Sequence, residues 1–201
     1  MSNSKSAPLV LTPVDDARRV AILEASLGVF ARFGFRKTSM DEVARAAQLS
    51  RQGLYLHFAN KEELFRATVT HTIASSLADA TRALDAKEGT INERLVRAFD
   101  EWVGRYVGRF AEDASDLMAA AEGVLSATIA EHEKAFVEKL TAVIRESGLV
   151  AGYKPVGVTA RQIGETLYSV AKGLKHRCDT RAEFIESLTV AVKIVCAPLG
   201  K

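Results

Sequence analysis

The sequence predicts an all-α protein, with an N-terminal three-helix helix-turn-helix unit followed by a six-helix domain. Three observations predict it. Apolar residues recur at three- and four-residue spacing through most of the 201 residues. Ser, Thr or Asn followed three residues later by Glu or Gln precedes one apolar-periodic run after another, the spacing of a capping box. No stretch alternates apolar and polar residues as a half-buried strand would, and no internal repeat is found.

The elements follow in order. Residues 1–13 are rich in Ser, Asn, Lys, Ala and Pro and are expected to form a mobile tail. A first helix should run from Val14 or Asp15 to Phe33, burying Val20, Leu23, Leu27 and Phe30, with Gly34 ending it. The next stretch, TSMDEVARAAQLSRQGLYLHFANKEELF at 38–65, carries the most information. Ser39 and Glu42 form a capping box, with Thr38 beside it, and the helix they open buries Met40, Val43, Ala44 and Ala47 and ends near Gln48. Leu49 then plugs the gap between helices. Ser50 caps a helix from Arg51 to about Phe58, which turns Leu54 and Phe58 inward and leaves Arg51, Gln52, Tyr55 and His57 outside. Gly53 has no side chain, so a backbone or a base edge can approach it. Asn60 and Glu63 open a long helix with Leu64, Phe65, Val69, Ile73 and Leu77 on one face, broken at Lys87-Glu88-Gly89.

Thr90 and Glu93 cap a helix expected to reach Phe110. A short helix is expected near Asp113–Ala120 and another from Glu122 to Ser147. Gly148 to Gly157, with Pro155, reads as a loop. Thr159 with Gln162 and Thr180 with Glu183 cap the last two helices, to about Arg177 and Ala197. The domains are therefore expected at 14–60 and 61–201, with 61–86 as a linking helix.

Bulk properties bound the function. Apolar residues make up 48% and charged residues 26%, the composition of an ordinary globular chain. No apolar run is long enough to span a bilayer, and the opening MSNSKSAP lacks a signal peptide's apolar region, so a cytoplasmic location is expected. Net charge is only +2, but Arg32 to Lys61 holds six basic and two acidic residues, a local +4 that favours phosphate contact. The four histidines (57, 71, 132, 176) and two cysteines (178, 196) show no metal-ligand spacing. Phosphate loop, nucleophile elbow and dinucleotide fingerprint are missing from the sequence, so neither catalysis, cofactor nor metal is expected. Cys178 and Cys196 are expected to be reduced and buried or partly buried, with a thiol-based redox switch as the lesser alternative.

Short capped helices packed this closely are the layout of a DNA-reading helix-turn-helix. At residues 17–68 the chain closely resembles the tetracycline-repressor (TetR) family of bacterial transcriptional regulators. The resemblance rests on RRVAILEASLGVFARFGFRKTSM, Leu-Tyr-x-His-Phe at 54–58, Asn60-Lys61-Glu62-Glu63-Leu64 and the Phe33-Gly34-Phe35 turn. It implies an all-helical homodimer whose N-terminal domain binds a palindromic operator and whose C-terminal domain binds a small effector. Arg51 and Gln52 are the candidates for base edges, since Arg suits guanine and Gln suits adenine. Tyr55, His57 and Lys61 are expected on phosphates, with Thr38, Ser39 and their helix N-terminus. Ser50 and Gly53 complete the expected DNA-binding set.

Two further constellations lie in the C-terminal domain. Phe99, Trp102, Tyr106 and Phe110 recur at helical spacing, and His132 interrupts the stripe of Leu125, Ile129, Phe136, Leu140 and Val143. Such stripes are usually core, and His132 reads first as a core histidine satisfied by a neighbour and second as an effector contact, but Trp102 and Tyr106 add polar tips to aromatic walls. Phe99, Trp102, Tyr106, Met118, His132 and Phe136 are the candidate effector pocket, expected to suit a small, flat, weakly polar molecule. Ile163, Leu167, Val170 and Leu174, with Phe184, Leu188, Ala191 and Val195, are the candidate dimer interface, where Gly164 and Ala171 would permit close approach. The same stripes could instead close the chain's own core. The expected function is a ligand-responsive repressor that releases its operator on binding an effector. The alternatives are an all-helical enzyme or carrier with an incidental helix-turn-helix, and a constitutive DNA-binding protein whose C-terminal core is filled.

Overall fold

Helix α1 spans Pro13–Lys37, α2 Met40–Ala46, α3 Arg51–Tyr55 and α4 Lys61–Asp85. They are followed by α5 (Ile91–Trp102), α6 (Ser115–Glu146), α7 (Val150–Tyr153), α8 (Ala160–Arg177) and α9 (Arg181–Cys196). The computed structural model describes residues 13–109 and 115–197, with side chains described for 15–109 and 125–197. No strand occurs among the described residues. The expected tail lies, but for Pro13, outside them.

The side-chain caps fall where the sequence places them. Ser39, Ser50, Asn60, Thr90, Thr159 and Thr180 each accept a hydrogen bond from the backbone N–H three residues on. Gly34 interrupts α1 with φ 74°, a left-handed conformation that suits glycine. The buried stripe of α1 is Ile22, Leu23, Ser26, Val29 and Phe30. Val20 and Leu27, expected in that stripe, are respectively 37% exposed and half-buried, because Ile22, Ser26 and Val29 turn the core face round the helix axis away from them.

Four boundaries differ from expectation. Helix α3 stops at Tyr55 and continues to Phe58 only as a turn. Helix α5 stops at Trp102, because the chain must tighten to pass α9. A Cβ on Gly104 would lie 2.9 Å from the buried ring of Phe184, so only glycine fits there without displacement. Tyr106 therefore sits in a 3-10 turn (Gly104–Tyr106), not on the α5 face, and Phe110 lies outside the described residues. The short and long helices expected from 113 to 147 are one 32-residue helix, α6. Gly123 inside it costs about 1 kcal/mol of helix propensity, and the helix runs through it. The expected 148–157 loop contains α7 and a 3-10 turn (Lys154–Val156), bracketed by left-handed Gly148 and Gly157.

Two hydrophobic cores result. The N-terminal core joins α1 to α4 through Ile22, Phe30, Val43, Leu54, Phe58, Leu64 and Phe65, with Phe30 and Phe65 edge to face at 5.1 Å. The C-terminal core gathers α4 to α6, α8 and α9 around Leu84, Leu95, Phe99, Phe136, Leu140, Leu167, Phe184 and Leu188. Helix α4 enters both, and α6 also touches α1. Cys178 and Cys196 are buried and unbridged.

Candidate nucleic-acid interface

The α2–turn–α3 unit is built by its caps. Ser39 accepts from the Glu42 N–H, and the Glu42 carboxylate accepts from both the Ser39 N–H and its hydroxyl at 2.8 Å. Those bonds pull the Glu42 carboxyl below its ordinary range, the backbone bond contributing most. After α2 the chain reverses at Gln48, whose φ of 55° is unusual for a side-chain-bearing residue, and the Leu49 N–H returns to the Ala44 carbonyl at 2.8 Å. Ser50 then accepts from Gly53 N–H at 3.0 Å and starts α3. Leu54 and Phe58 anchor α3 in the core. Arg19 fixes its far end, donating to the His57 carbonyl at 3.1 Å and lying over the Phe58 ring.

The outward residues separate into two rows. Arg51 and Tyr55 form one, with the Arg51 guanidinium 5.7 Å from the centre of the Tyr55 ring. Gln52 and Leu56 form the other, four residues apart, and Leu56 is 83% exposed. Arg51 also pairs with Asp41 of α2 at 3.0 Å. The Tyr55 hydroxyl, then the Asp41 carboxylate, raise the guanidinium's pKa further, so it stays charged. Around this face Arg36, Lys37 and Arg45 are exposed. The spacing of the sequence did not reveal Asp41 or Leu56. Asp41 looked like an ordinary acid in the first turn of a helix, and Leu56 like an unremarked residue between Tyr55 and His57.

Three expected contacts have other partners. Thr38 is buried and donates to the Gly34 carbonyl at 2.7 Å, so its hydroxyl closes the α1 turn and does not face outward. The open side of Gly53 faces its own cap, where a Cβ would stand 3.2 Å from the Ser50 hydroxyl, so its close approach is internal. Lys61 donates to the Phe35 and Arg36 carbonyls at 2.9 and 3.3 Å and lies 4.6 Å from the Phe35 ring centre. It latches the start of α4 to the turn before α2. Ser39, Ser50, Arg51, Gln52 and Tyr55 are exposed, and His57 is half-buried.

Residues 22–68 match the family model of bacterial regulatory proteins, tetR family. That segment of the chain is similar to the DNA-binding part of TetR-family transcriptional regulators. It is 39% identical over 79 residues to the uncharacterised HTH-type transcriptional regulator YfiR of Bacillus subtilis, and 32% identical over 89 residues to the HTH-type transcriptional regulator TtgR of Pseudomonas putida. These matches span 39% and 42% of this chain, and only 37% and 42% of the relatives' own lengths. A TetR family transcription regulator from Marinobacter aquaeolei shares the fold over 92% of this chain and 96% of its own, with a TM-score of 0.56 at 22% identity.

In the C-terminal domain the expected effector pocket is packed shut where it is described. Phe99 and Phe136 have no exposed surface and meet edge to face at 5.3 Å. Trp102 stacks on Phe136 at 5.1 Å, Tyr106 hydrogen-bonds Ser76 of α4, and His132 Nδ1 lies 2.8 Å from the Thr128 carbonyl of its own helix. The side chain of Met118 lies outside the described residues. A polar cluster stands beside this aromatic stack, across α5, α6 and α8. Tyr168 stands among Trp102, Glu133 and Lys172, where Lys172 lies 5.5 Å from the Tyr168 ring centre and pairs with Glu133 at 3.2 Å. Burial, then the Glu133 bond, pushes the Tyr168 hydroxyl well up. Burial, then repulsion from Lys172, pulls Lys175 below the ordinary lysine value.

The expected dimer surface divides by face. Ile163, Leu167, Phe184 and Leu188 are buried in the chain's own core and cannot reach a partner. Gly164 is buried against α6, where a Cβ would make an ordinary contact 3.6 Å from Leu140, and Ala171 is likewise in the core. Val170, Leu174, Ala191 and Val195 are half-buried. The outer face of α9 carries Val190 and Ile194, 54% and 68% exposed.

The Lys61 geometry gives a test. Lys61→Ala removes two hydrogen bonds from a charged donor and should lower stability by about 1–3 kcal/mol in denaturant titration without DNA. An unchanged unfolding midpoint would mean that the latch contributes nothing, leaving phosphate contact as its role.

Proposed function

We propose that this chain is a transcriptional regulator that binds a palindromic DNA operator as a homodimer and releases it when a small molecule binds the C-terminal domain. The observation that carries the reading is the outer face of α3. Arg51, Gln52 and Tyr55 are exposed together on a helix anchored in the core by Leu54 and by Phe58 of the turn that follows it. A short rigid helix with a guanidinium and an amide at its leading end suits the donor and acceptor pattern of the major groove. Ser39, Ser50, Tyr55, His57 and the basic residues around them would meet phosphates, holding register without reading sequence. The surroundings belong in a cytoplasm, where DNA is available.

The dimer would use the outer face of α8 and α9, where Val170, Leu174, Val190, Ala191, Ile194 and Val195 present apolar surface. Helix α4 would carry the response. Its second half is tied to α5 by Arg94 on the Leu84 carbonyl, to the 3-10 turn by Arg105 on Asp79 at 2.8 Å, and to α6 by Lys139 on Asp85. A ligand that prefers one arrangement of these helices would shift α3 through α4, and only by its difference in affinity. The polar cluster of Trp102, Tyr168, Glu133, Lys172 and Lys175 is the best-supplied place for its polar groups, replacing the closed stack of Phe99 and Phe136.

Duplexes selected by the protein from a randomised library should share a palindromic motif, and affinity should fall steeply with added salt. Arg51→Ala and Gln52→Ala should each change that motif and cost about 1–3 kcal/mol on the parent's site. An identical motif from both variants would remove α3 from base reading. For assembly, Ile194→Glu should give a folded monomer in light scattering, since it puts a charge on an exposed apolar face, while Leu188→Glu should unfold the chain. A folded Ile194→Glu dimer would place the interface elsewhere.

A further inference from the structure

Arg51 is the residue on which guanine reading depends in the function proposed above, and its long side chain would ordinarily sample many rotamers in solvent. Here it is held from two sides. Asp41, in the first turn of α2, accepts from Arg51 Nη1 at 3.0 Å, and the Tyr55 ring lies beneath the guanidinium. Asp41 is ten residues earlier in the chain and on the other helix of the motif, so the bond spans the turn. The other carboxylate oxygen of Asp41 is buried and makes no hydrogen bond among the described residues, so the carboxylate offers Arg51 its one accessible oxygen.

We propose that Asp41 is a positioning residue for sequence reading: it fixes the Arg51 guanidinium so that the free N–H groups of its fork face a guanine edge. Bidentate recognition of guanine O6 and N7 needs two parallel N–H groups in one plane. A guanidinium already tethered through Nη1 keeps further donors on its remaining nitrogens. The tether also orders the side chain before DNA arrives, so less conformational freedom is lost on binding. The Arg51 side chain is 64% exposed and that of Asp41 49%, and ion pairs this open to water contribute little to stability, so the contact serves placement rather than folding.

The charge of Asp41 makes the proposal separable from a simple structural role. A carboxylate beside DNA repels phosphates, so removing it should help binding to arbitrary sequence even as it harms reading of the right one. A structural residue would move both in the same direction.

The experiment uses the full chain, a duplex selected by the parent protein from a randomised library, and an unselected duplex of equal length. Asp41→Ala, Asp41→Asn, Arg51→Ala and the Asp41→Ala/Arg51→Ala double variant are compared, with thermal melts to confirm folding. Asp41→Ala should lose about tenfold in preference for the selected duplex, with unchanged or tighter binding to the unselected one. The loss should sit at one guanine, so that replacing it by 7-deazaguanine weakens the parent but not Asp41→Ala. Asp41→Asn, which keeps a neutral acceptor, should fall between parent and Asp41→Ala. The double variant should lose no more than Arg51→Ala. Parallel losses on both duplexes, or full additivity in the double variant, overturn the proposal. If Arg51→Ala erases the guanine preference and Asp41→Ala keeps it, positioning by Asp41 fails while base reading by α3 stands. If Arg51→Ala keeps the preference, base reading by Arg51 fails and the role of Asp41 falls with it.

Discussion

Helix α4 is the constraint on which the rest of the molecule depends. Its 25 residues, about 37 Å of helix, belong to two hydrophobic cores at once. Leu64 and Phe65 are buried with α1 to α3, and Ala80, Ala83 and Leu84 are buried with α5, α6, α8 and α9. Burying one leucine contributes about 1.5–3 kcal/mol, so neither end can be released cheaply. The position of α3 is therefore tied, through one continuous helix, to the packing of the C-terminal domain. Lys61 completes the near end by bonding the carbonyls of Phe35 and Arg36.

The far end of α4 is held by polar contacts whose partners come from three elements. Ser76 meets Tyr106, Asp79 meets Arg105, the Leu84 carbonyl meets Arg94, and Asp85 meets Lys139. Exposed or half-exposed contacts of this kind are individually weak, and they can be exchanged more readily than buried apolar surface. The apolar cores set where α4 lies, while the polar ties could bias small displacements of it. That division suits the ligand-responsive regulator proposed above, in which a response needs a change that does not cost the fold. Opening the Phe99, Trp102 and Phe136 stack would forfeit core packing, which is why the ligand contact proposed above is set at the neighbouring Tyr168, Glu133 and Lys172.

Much of the fold was legible in the sequence because its helix starts are written locally. Ser39 with Glu42, Thr90 with Glu93 and Thr159 with Gln162 form complete capping boxes in the structure. Helix ends were harder. The stop at Trp102 depends on the approach of Phe184 to Gly104, a contact between residues far apart in the chain. The faces of α8 and α9 were mixed for a related reason. Spacing identifies a stripe but not its partner, so Ile163, Leu167, Phe184 and Leu188 could not be told from surface residues until their burial was seen. In the interface the caps and outward residues of α3 were readable from spacing. The burial of Thr38, the latch made by Lys61 and the pairing of Asp41 with Arg51 were not, since each depends on how two helices meet.

The central claim is that α4 from each of two chains sets the distance between two α3 helices on DNA. Hydroxyl-radical footprinting of the protein on a duplex it has selected measures that distance directly. The account predicts two protected patches on one face of the duplex, related by the symmetry of the motif and separated by about one helical turn or a whole multiple of it. A single patch, or uniform protection without helical phase, would contradict it.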